Sequence, residues 1–135
     1  MTNKLYLGVD PGRSKTGLAL VDQQGTILQQ RIVATADFPV ELARFVEGHS
    51  PILIVLGNGT NSDNIKQGLQ QVLPRLPVQV INEAHSTEEA RELYWQCRPP
   101  QGWRRLLPLG LQVPPVPLDD YAAVILVRRY LEGQQ

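Results

Sequence analysis

The chain has 135 residues, 42% of them hydrophobic, which is enough to bury a core, and we expect one domain over residues 1–135. Its 13 basic and 13 acidic residues give zero net charge, which argues against a broad electrostatic nucleic-acid binder without excluding local basic patches. The apolar runs fall short of the roughly 18–20 residues that cross a bilayer. The N-terminus lacks a secretion signal and a single cysteine excludes an internal disulfide, so we expect a cytoplasmic protein without membrane association.

The beginning of the chain predicts three antiparallel strands joined by tight turns. The strands are expected over three apolar runs, Lys4–Val9, Thr16–Val21 and Thr26–Ala34. The first turn is centred on Pro11 and Gly12, directly after Asp10. A carboxylate at the end of a buried strand is costly unless it has a partner, so we expect a metal ion, another cation or a donor-rich loop beside Asp10.

The middle of the chain alternates helical and strand patterns, which is typical of parallel strands connected through helices. The predicted elements are, in order, a helix over Phe38–Gly48, a strand over Pro51–Leu56, a helix over Asp63–Leu73, a strand over Val78–Ile81 and a helix ending at about Cys97. We expect the last of these helices to begin with a capping box, in which Ser86 is the N-cap residue and Glu89 lies three positions later. The loop Gly57–Ser62 either approaches a phosphate through its glycines or is a simple strand-to-helix turn.

The last third of the chain contains an irregular segment and a final helix. The segment Arg98–Pro117 is rich in proline and glycine and predicts a long loop. A helix is predicted over Leu118–Leu131, with Asp119 and Asp120 in its first turn, where they either cap the helix or serve a site. Helical periodicity predicts a wet face holding Arg128, Arg129 and Glu132, and a buried face holding Ala123, Leu126, Val127 and Tyr130.

These elements predict an α/β fold with a mixed sheet of five strands, an antiparallel three-strand meander plus two parallel strands, flanked by helices. In such sheets, ligands bind where neighbouring strand ends open a crevice. Asp10 and Glu83 each follow a predicted strand, and Asp119 or Asp120 could join them there. Three carboxylates in one place need a hard cation, and oxygen ligands suit Mg²⁺ or Mn²⁺, which can activate water and stabilise the charge on a phosphodiester under attack.

Three sequence motifs resemble those of the RNase H-like YqgF and RuvC nucleases. The first is Gly8–Gly12 followed by Lys15–Ala19. The second is Asn82–Ala90, in which a glutamate ends a strand before a threonine-containing turn. The third is Leu118–Val124, in which an aspartate precedes an alanine pair on the final helix. Their order and spacing agree with the family pattern over nearly the whole chain, and the match is closer to YqgF than to RuvC.

This resemblance implies an RNase H-like domain with metal-dependent endonuclease activity on structured nucleic acid. Asp10, Glu83 and Asp119 would be the catalytic, metal-binding acids, with Asp120 as a companion or alternate metal ligand and Mg²⁺ or Mn²⁺ as the cofactor. The implied substrate is the precursor of the small-subunit (pre-16S) ribosomal RNA or, alternatively, branched DNA such as a Holliday junction. The protein would act as a monomer or a homodimer. One departure from the YqgF pattern is Ala84, where an arginine is usual.

Several further residues are candidate nucleic-acid contacts. Arg13 and Lys15 flank the first turn, and His85 could replace the missing arginine as a phosphate ligand or proton shuttle. An aromatic residue beside two arginines could stack on a base, although it could also anchor the long loop to the body of the protein. The complete set is Arg13, Lys15, Asn58, His85, Trp103, Arg104 and Arg105.

Two other functions fit parts of the same pattern. A non-catalytic nucleic-acid or protein-binding module is favoured by the zero net charge and by Ala84. A nucleotide-phosphate site of the actin and sugar-kinase type is favoured by the Asp, Gly and Thr of the first motif, but a domain of 135 residues lacks the second lobe that encloses ATP. Metal binding would distinguish a nuclease from a binding module, whereas ATP binding would indicate the kinase-type site.

Overall fold

The computed structural model of this protein describes residues 4–59, 61–99, 114 and 116–133. Five strands lie within these ranges: β1 Leu5–Asp10, β2 Lys15–Asp22, β3 Ile27–Ala34, β4 Leu53–Gly57 and β5 Val78–Ile81. Four α-helices accompany them: α1 Phe38–Val46, α2 Ser62–Val72, α3 Ser86–Cys97 and α4 Asp119–Gly133. A turn of 3-10 helix over Thr35–Asp37 joins β3 to α1. The predicted order of elements is confirmed, and no helix in the described ranges is long and apolar enough to span a membrane.

The strands form one mixed sheet in the order β3-β2-β1-β4-β5. The first three strands are antiparallel neighbours, and β1, β4 and β5 run parallel to one another, which confirms the predicted topology. Because parallel strands end at the same edge of a sheet, the C-terminal ends of β1, β4 and β5 lie side by side. At this edge Asp10 pairs with Gly17 of β2, and Gly57 of β4 pairs with Ile81 of β5.

Helices cover both faces of the sheet. Helices α1 and α2 pack on one face, where they share a core with Ile54 and Leu56 of β4. Helices α3 and α4 pack on the other face, where Val55 of the same strand is buried. Successive residues of a strand point to opposite faces, so a strand covered on both sides must be apolar throughout. This burial explains the unbroken apolar run in the sequence.

Helix α4 is more deeply buried than its periodicity predicted. Residues 121–127 are all buried, and the two arginines expected on the wet face are only partly exposed. Arg128 donates two hydrogen bonds to the Gly25 carbonyl oxygen, at 3.1 and 2.8 Å, and Arg129 forms an ion pair with Glu89 of α3 at 3.1 Å. The prediction of a single buried face is wrong because α3 packs against α4 in addition to the sheet.

Two glycines allow α4 to lie close to the sheet. A Cβ atom at Gly8 of β1 would overlap with the Ala123 carbonyl oxygen and lie 2.8 Å from a methyl group of Val127. A Cβ atom at Gly17 of β2 would overlap with the carbonyl oxygen of Asp119. The first residue of α4 therefore lies directly over the strand residue that pairs with Asp10.

The start of α3 differs from the predicted capping box. The N-cap residue is His85, not Ser86, and it has a left-handed φ of 64° with no side-chain capping hydrogen bond to the described residues. The Ser86 N–H group instead donates to the Glu83 carbonyl oxygen at 3.0 Å, which closes a tight turn, and Ser86 is buried as the first residue of the helix. The turn that carries Glu83 therefore overrides the local capping motif.

Replacing Gly8 with alanine should destabilise the protein strongly. The added methyl group meets backbone atoms of α4, which cannot move without lifting the helix from the sheet, so we expect a loss of about 1–3 kcal/mol or more in the free energy of unfolding. Urea denaturation measures this change. Gly133→Ala is the matched control, because a Cβ atom there has no described atom within 4 Å. Equal stabilities of the two variants would contradict the close packing of α4.

Candidate active site

Asp10 is the last residue of β1, and the turn that follows it is held from two directions. The Gly12 carbonyl oxygen accepts hydrogen bonds from the Thr35 hydroxyl at 2.9 Å and from the Asn61 side-chain amide at 3.3 Å. The Thr35 N–H group also donates to the Ser14 carbonyl oxygen at 2.9 Å. These bonds join the turn to the end of β3 and the start of α2, so the backbone of Asp10 is fixed on both sides.

Glu83 lies in the loop between β5 and α3 and is held against the end of β4. Its N–H group donates to the side-chain oxygen of Asn58 at 3.1 Å. Its carboxylate packs on Gly57, the last residue of β4, and on Gly59 in the following loop, where an added Cβ atom would overlap with the carboxylate oxygens. These two glycines therefore leave room for the side chain of Glu83.

The carboxyl groups of Asp10 and Glu83 lie close enough together for Glu83 to shift the pKa of Asp10. Burial raises the pKa of Asp10 to about 8, and the hydrogen bond to Glu83, the charge of Glu83 and the charge of Asp119 act in the same direction. Two ionised carboxylates offer no donor to each other, so this contact requires either a proton shared between them or a cation. The neighbour that the structure places beside Asp10 is a second acid, so the expected metal ion, other cation or donor-rich loop at this position stays a prediction.

The two aspartates at the start of α4 have different surroundings. Asp119 is close enough for its charge to raise the pKa of Asp10, and its backbone lies over Gly17. Asp120 accepts a hydrogen bond from the Gln30 side chain at 3.0 Å on one oxygen and from the Tyr121 N–H group at 3.0 Å on the other. Burial raises the pKa of Asp120, while these two hydrogen bonds lower it. This difference favours Asp119 over Asp120 as the third acid of the site.

The donor set fits a hard cation at the Asp10–Glu83 pair. Carboxylate oxygens are the ligands that Mg²⁺ and Mn²⁺ prefer. Atom Oε2 of Glu83 is buried, and no described residue donates a hydrogen bond to it, which is the situation that a bound cation would relieve. Within the described ranges, however, no group of three or more His, Cys, Asp or Glu side chains is arranged so that it could hold a metal ion. Asp119 as a third ligand therefore stays a prediction.

The other predicted contact residues are dispersed. Arg13 and Lys15 are exposed on the turn after Asp10. The exposed His85 lies beside Glu88, with Nδ1 3.6 Å from a carboxylate oxygen. The side-chain oxygen of Asn58 is engaged with the backbone of Glu83. The remaining three candidates, Trp103, Arg104 and Arg105, lie outside the described residues.

Sequence comparison adds no relatives. No protein-family model matches the chain, and no curated protein matches it. Solved structures do match its fold. RuvC from Thermus thermophilus superposes with a TM-score of 0.56 at 13% identity, covering 96% of this chain and 96% of that one.

Partial matches to sugar kinases also occur. A ROK-family glucokinase from Streptomyces griseus gives a TM-score of 0.45 at 25% identity, covering 64% of this chain and 36% of its own. A putative sugar kinase from Cytophaga hutchinsonii gives a TM-score of 0.45 at 18% identity, covering 67% of this chain and 39% of its own. This chain therefore spans a little over a third of the length of these two proteins. The RuvC superposition covers nearly all of both chains and shows an RNase H-like α/β fold.

The stability of the metal-free protein should fall as pH rises from about 4 to 8. In this range the folded protein keeps a proton on Asp10 that the unfolded chain has lost, since the pKa rises from 3.8 to about 8 on folding. The free energy of unfolding should decrease by up to roughly 1.4 kcal/mol per pH unit. Urea denaturation between pH 4 and 8, with a chelator present, measures the slope.

The variant Asp10→Asn should flatten this pH dependence and be more stable than the unmodified protein at pH 8, because the amide carries no charge at any pH in the range. Asp63→Asn, at an exposed acid on α2, is the control and should keep the original slope. A slope that survives in Asp10→Asn would contradict the assignment of the raised pKa.

Proposed function

We propose that this chain is a divalent-metal-dependent endonuclease that hydrolyses phosphodiester bonds in structured nucleic acid. The observation that carries the proposal is the close approach of two carboxyl groups from distant parts of the sequence, that of Asp10 at the end of β1 and that of Glu83 in the loop after β5. Two further observations support metal binding. The Oε2 atom of Glu83 is buried and has no hydrogen-bond donor among the described residues, and the charge of Asp119 lies near Asp10. Among the described residues, the charges that shift the pKa of Asp10 are those of two other acids, Glu83 and Asp119, whereas a structural ion pair would place a basic side chain there.

In this proposal Asp10 and Glu83 hold Mg²⁺ or Mn²⁺, and Asp119 completes the ligand set. The metal, when bound, supplies charge neutralisation at the phosphate and a nucleophilic water at neutral pH. The protein itself holds the side chains of these acids at fixed positions relative to one another. Thr35 holds the turn after Asp10 by a hydrogen bond, and the glycines beneath Glu83 leave room for its carboxylate. The exposed Arg13 and Lys15 would contact phosphates beside the acids.

We further propose that the substrate is structured RNA, namely the precursor of the small-subunit ribosomal RNA. The three sequence motifs taken together resemble the YqgF pattern more closely than the RuvC pattern, which supports RNA over a Holliday junction. The fold itself is compatible with both substrates. Ala84 removes the usual arginine from this motif, and we propose that the exposed His85, one position further along, contacts the phosphate in its place.

A second candidate is a non-catalytic nucleic-acid-binding module on the same fold. It is favoured by the absence, within the described ranges, of three acids already arranged around one ion. In that case the Asp10–Glu83 contact would be held by a shared proton instead of a metal. The two candidates differ in metal binding, which the module does not require.

Asp10→Asn should abolish nuclease activity and Mn²⁺ binding. We expect cleavage of RNA or junction substrates by the unmodified protein with Mn²⁺, and a loss of about 100-fold or more in the variant, because half of the ligand pair is removed. Gel-based cleavage assays and titration calorimetry measure these effects, with Asp63→Asn as the control. If the unmodified protein binds nucleic acid but gives no Mn²⁺ isotherm, the binding module is correct and the nuclease proposal is wrong.

The protein should cleave structured RNA in preference to branched DNA. We expect kcat/KM for a hairpin carrying a small-subunit ribosomal RNA precursor end to exceed that for a four-way DNA junction under the same Mn²⁺ and salt conditions. A single-stranded RNA of equal length is the control for structure dependence. Paired, symmetric cuts in the junction at a higher kcat/KM would instead assign the protein to junction resolution.

A further inference from the structure

The loop that carries Glu83 is fixed from two sides by residues that belong to other elements. On the side of β4, the Asn58 side-chain oxygen accepts the Glu83 N–H group at 3.1 Å, and the Asn58 N–H group donates to the Ile81 carbonyl oxygen at 3.1 Å. Asn58 is thus hydrogen-bonded both to the last residue of β5 and to Glu83. Because Glu83 lies outside regular secondary structure, these bonds replace the strand pairing that ends at Ile81.

On the side of α4, Arg129 holds the residue before Glu83. Its Nη1 atom donates to the Asn82 carbonyl oxygen at 2.9 Å, and its Nε and Nη2 atoms bond the two carboxylate oxygens of Glu89 at 3.2 and 3.1 Å. The Arg129 side chain is only 22% exposed, whereas that of its partner Glu89 is 47% exposed. A planar guanidinium with three bonds in a fixed geometry is an effective brace for a loop.

We propose that Asn58 and Arg129 are positioning residues that set the carboxylate of Glu83 against that of Asp10. This inference rests on the proposed function, since it assigns the two residues a role in metal binding. Neither side chain is expected to touch the metal. Asn58 acts through the backbone of Glu83 and Arg129 through that of Asn82, and the nucleic-acid contact expected of Asn58 is the alternative that the experiments below distinguish.

The effect of losing either residue should be local and specific. The Glu83 carboxylate lies against Gly57 and Gly59, and it can contact Asp10 only while its backbone stays close to the end of β4. Loss of residues that orient metal ligands typically lowers metal affinity ~10–100-fold. We therefore expect Asn58→Ala and Arg129→Met to reduce Mn²⁺ affinity in that range.

The chain offers a matched control for Arg129. The adjacent Arg128 is also on α4 and also partly buried, and it donates two hydrogen bonds to a backbone carbonyl, but that carbonyl belongs to Gly25 in the turn between β2 and β3. Arg128→Met should lose a comparable set of bonds while leaving Mn²⁺ affinity unchanged. Glu89→Gln removes the charge of the ion-pair partner and leaves the bond from Arg129 to Asn82 intact, so it should retain most of the affinity.

The first measurement is amide hydrogen exchange by NMR on the metal-free protein. In Asn58→Ala the Glu83 amide should exchange at least ~10-fold faster, because its acceptor is lost, while the amide of Val9 in the centre of the sheet keeps its protection. Arg129→Met should accelerate the Ser86 amide, which closes the same turn, and Arg128→Met should not. Unchanged exchange at Glu83 and Ser86 in these variants would overturn the proposal, whether or not the protein is a nuclease.

The second measurement is Mn²⁺ titration calorimetry together with cleavage kinetics. A positioning role predicts weaker Mn²⁺ binding without nucleic acid present and a lower kcat at nearly unchanged KM. Arg129→Lys, which keeps one donor for the Asn82 carbonyl, should recover part of the loss and serves if Arg129→Met fails to fold. A raised KM with unchanged Mn²⁺ affinity in Asn58→Ala would overturn the proposal in favour of a direct contact with nucleic acid.

If the unmodified protein neither binds Mn²⁺ nor cleaves, the proposed function is wrong, and the exchange data alone decide whether the two residues hold the loop.

Discussion

The site depends on the contact between the carboxyl groups of Asp10 and Glu83. Burial disfavours their charged forms, and two ionised carboxylates repel each other. Asp10 and Glu83 meet at the edge of the sheet, and the raised pKa of Asp10 reflects first its burial and then the cost of a second negative charge there. The contact can persist only with a shared proton or a cation between the groups. The surrounding hydrogen bonds hold the backbone beside both acids, and the glycines beneath Glu83 leave space for its carboxylate. The same electrostatic cost is what would make the pair a strong ligand for a divalent ion.

Helix α4 connects the parts of this site. Its first residue, Asp119, lies over the strand that pairs with β1, and its body rests on Gly8, where no side chain separates helix from sheet. Near its other end, Arg129 holds the loop that carries Glu83. The burial of α4 between the sheet and α3 keeps these two ends in a fixed relation. A change in the packing of one helix would therefore alter the positions of both Asp119 and Glu83 relative to Asp10.

Local sequence patterns predicted the strands and helices correctly where interactions between neighbouring residues determine the structure. Alternating apolar runs and turn residues located the meander, and the unbroken run Ile52–Leu56 predicted a strand buried on both faces. Predictions were wrong where a distant part of the chain intervened. Ser86 does not cap α3, because the tight turn from Glu83 takes its N–H group, and Arg129 does not lie on a wet face, because α3 packs beside it. The propensities were correct as local preferences, but tertiary packing outweighed them.

The sequence by itself determined the α/β fold, the order of its strands and helices, and the placement of acids directly after two of its parallel strands. These features follow from periodicity and turn chemistry, which act over a few neighbouring residues. Only the tertiary structure decided which side chains engage one another at that edge. The bond from the Glu83 N–H group to Asn58 joins residues 25 positions apart, and the bond from Gln30 to Asp120 joins residues 90 positions apart. Such contacts depend on the packing of the helices against the sheet, and no spacing along the chain encodes them.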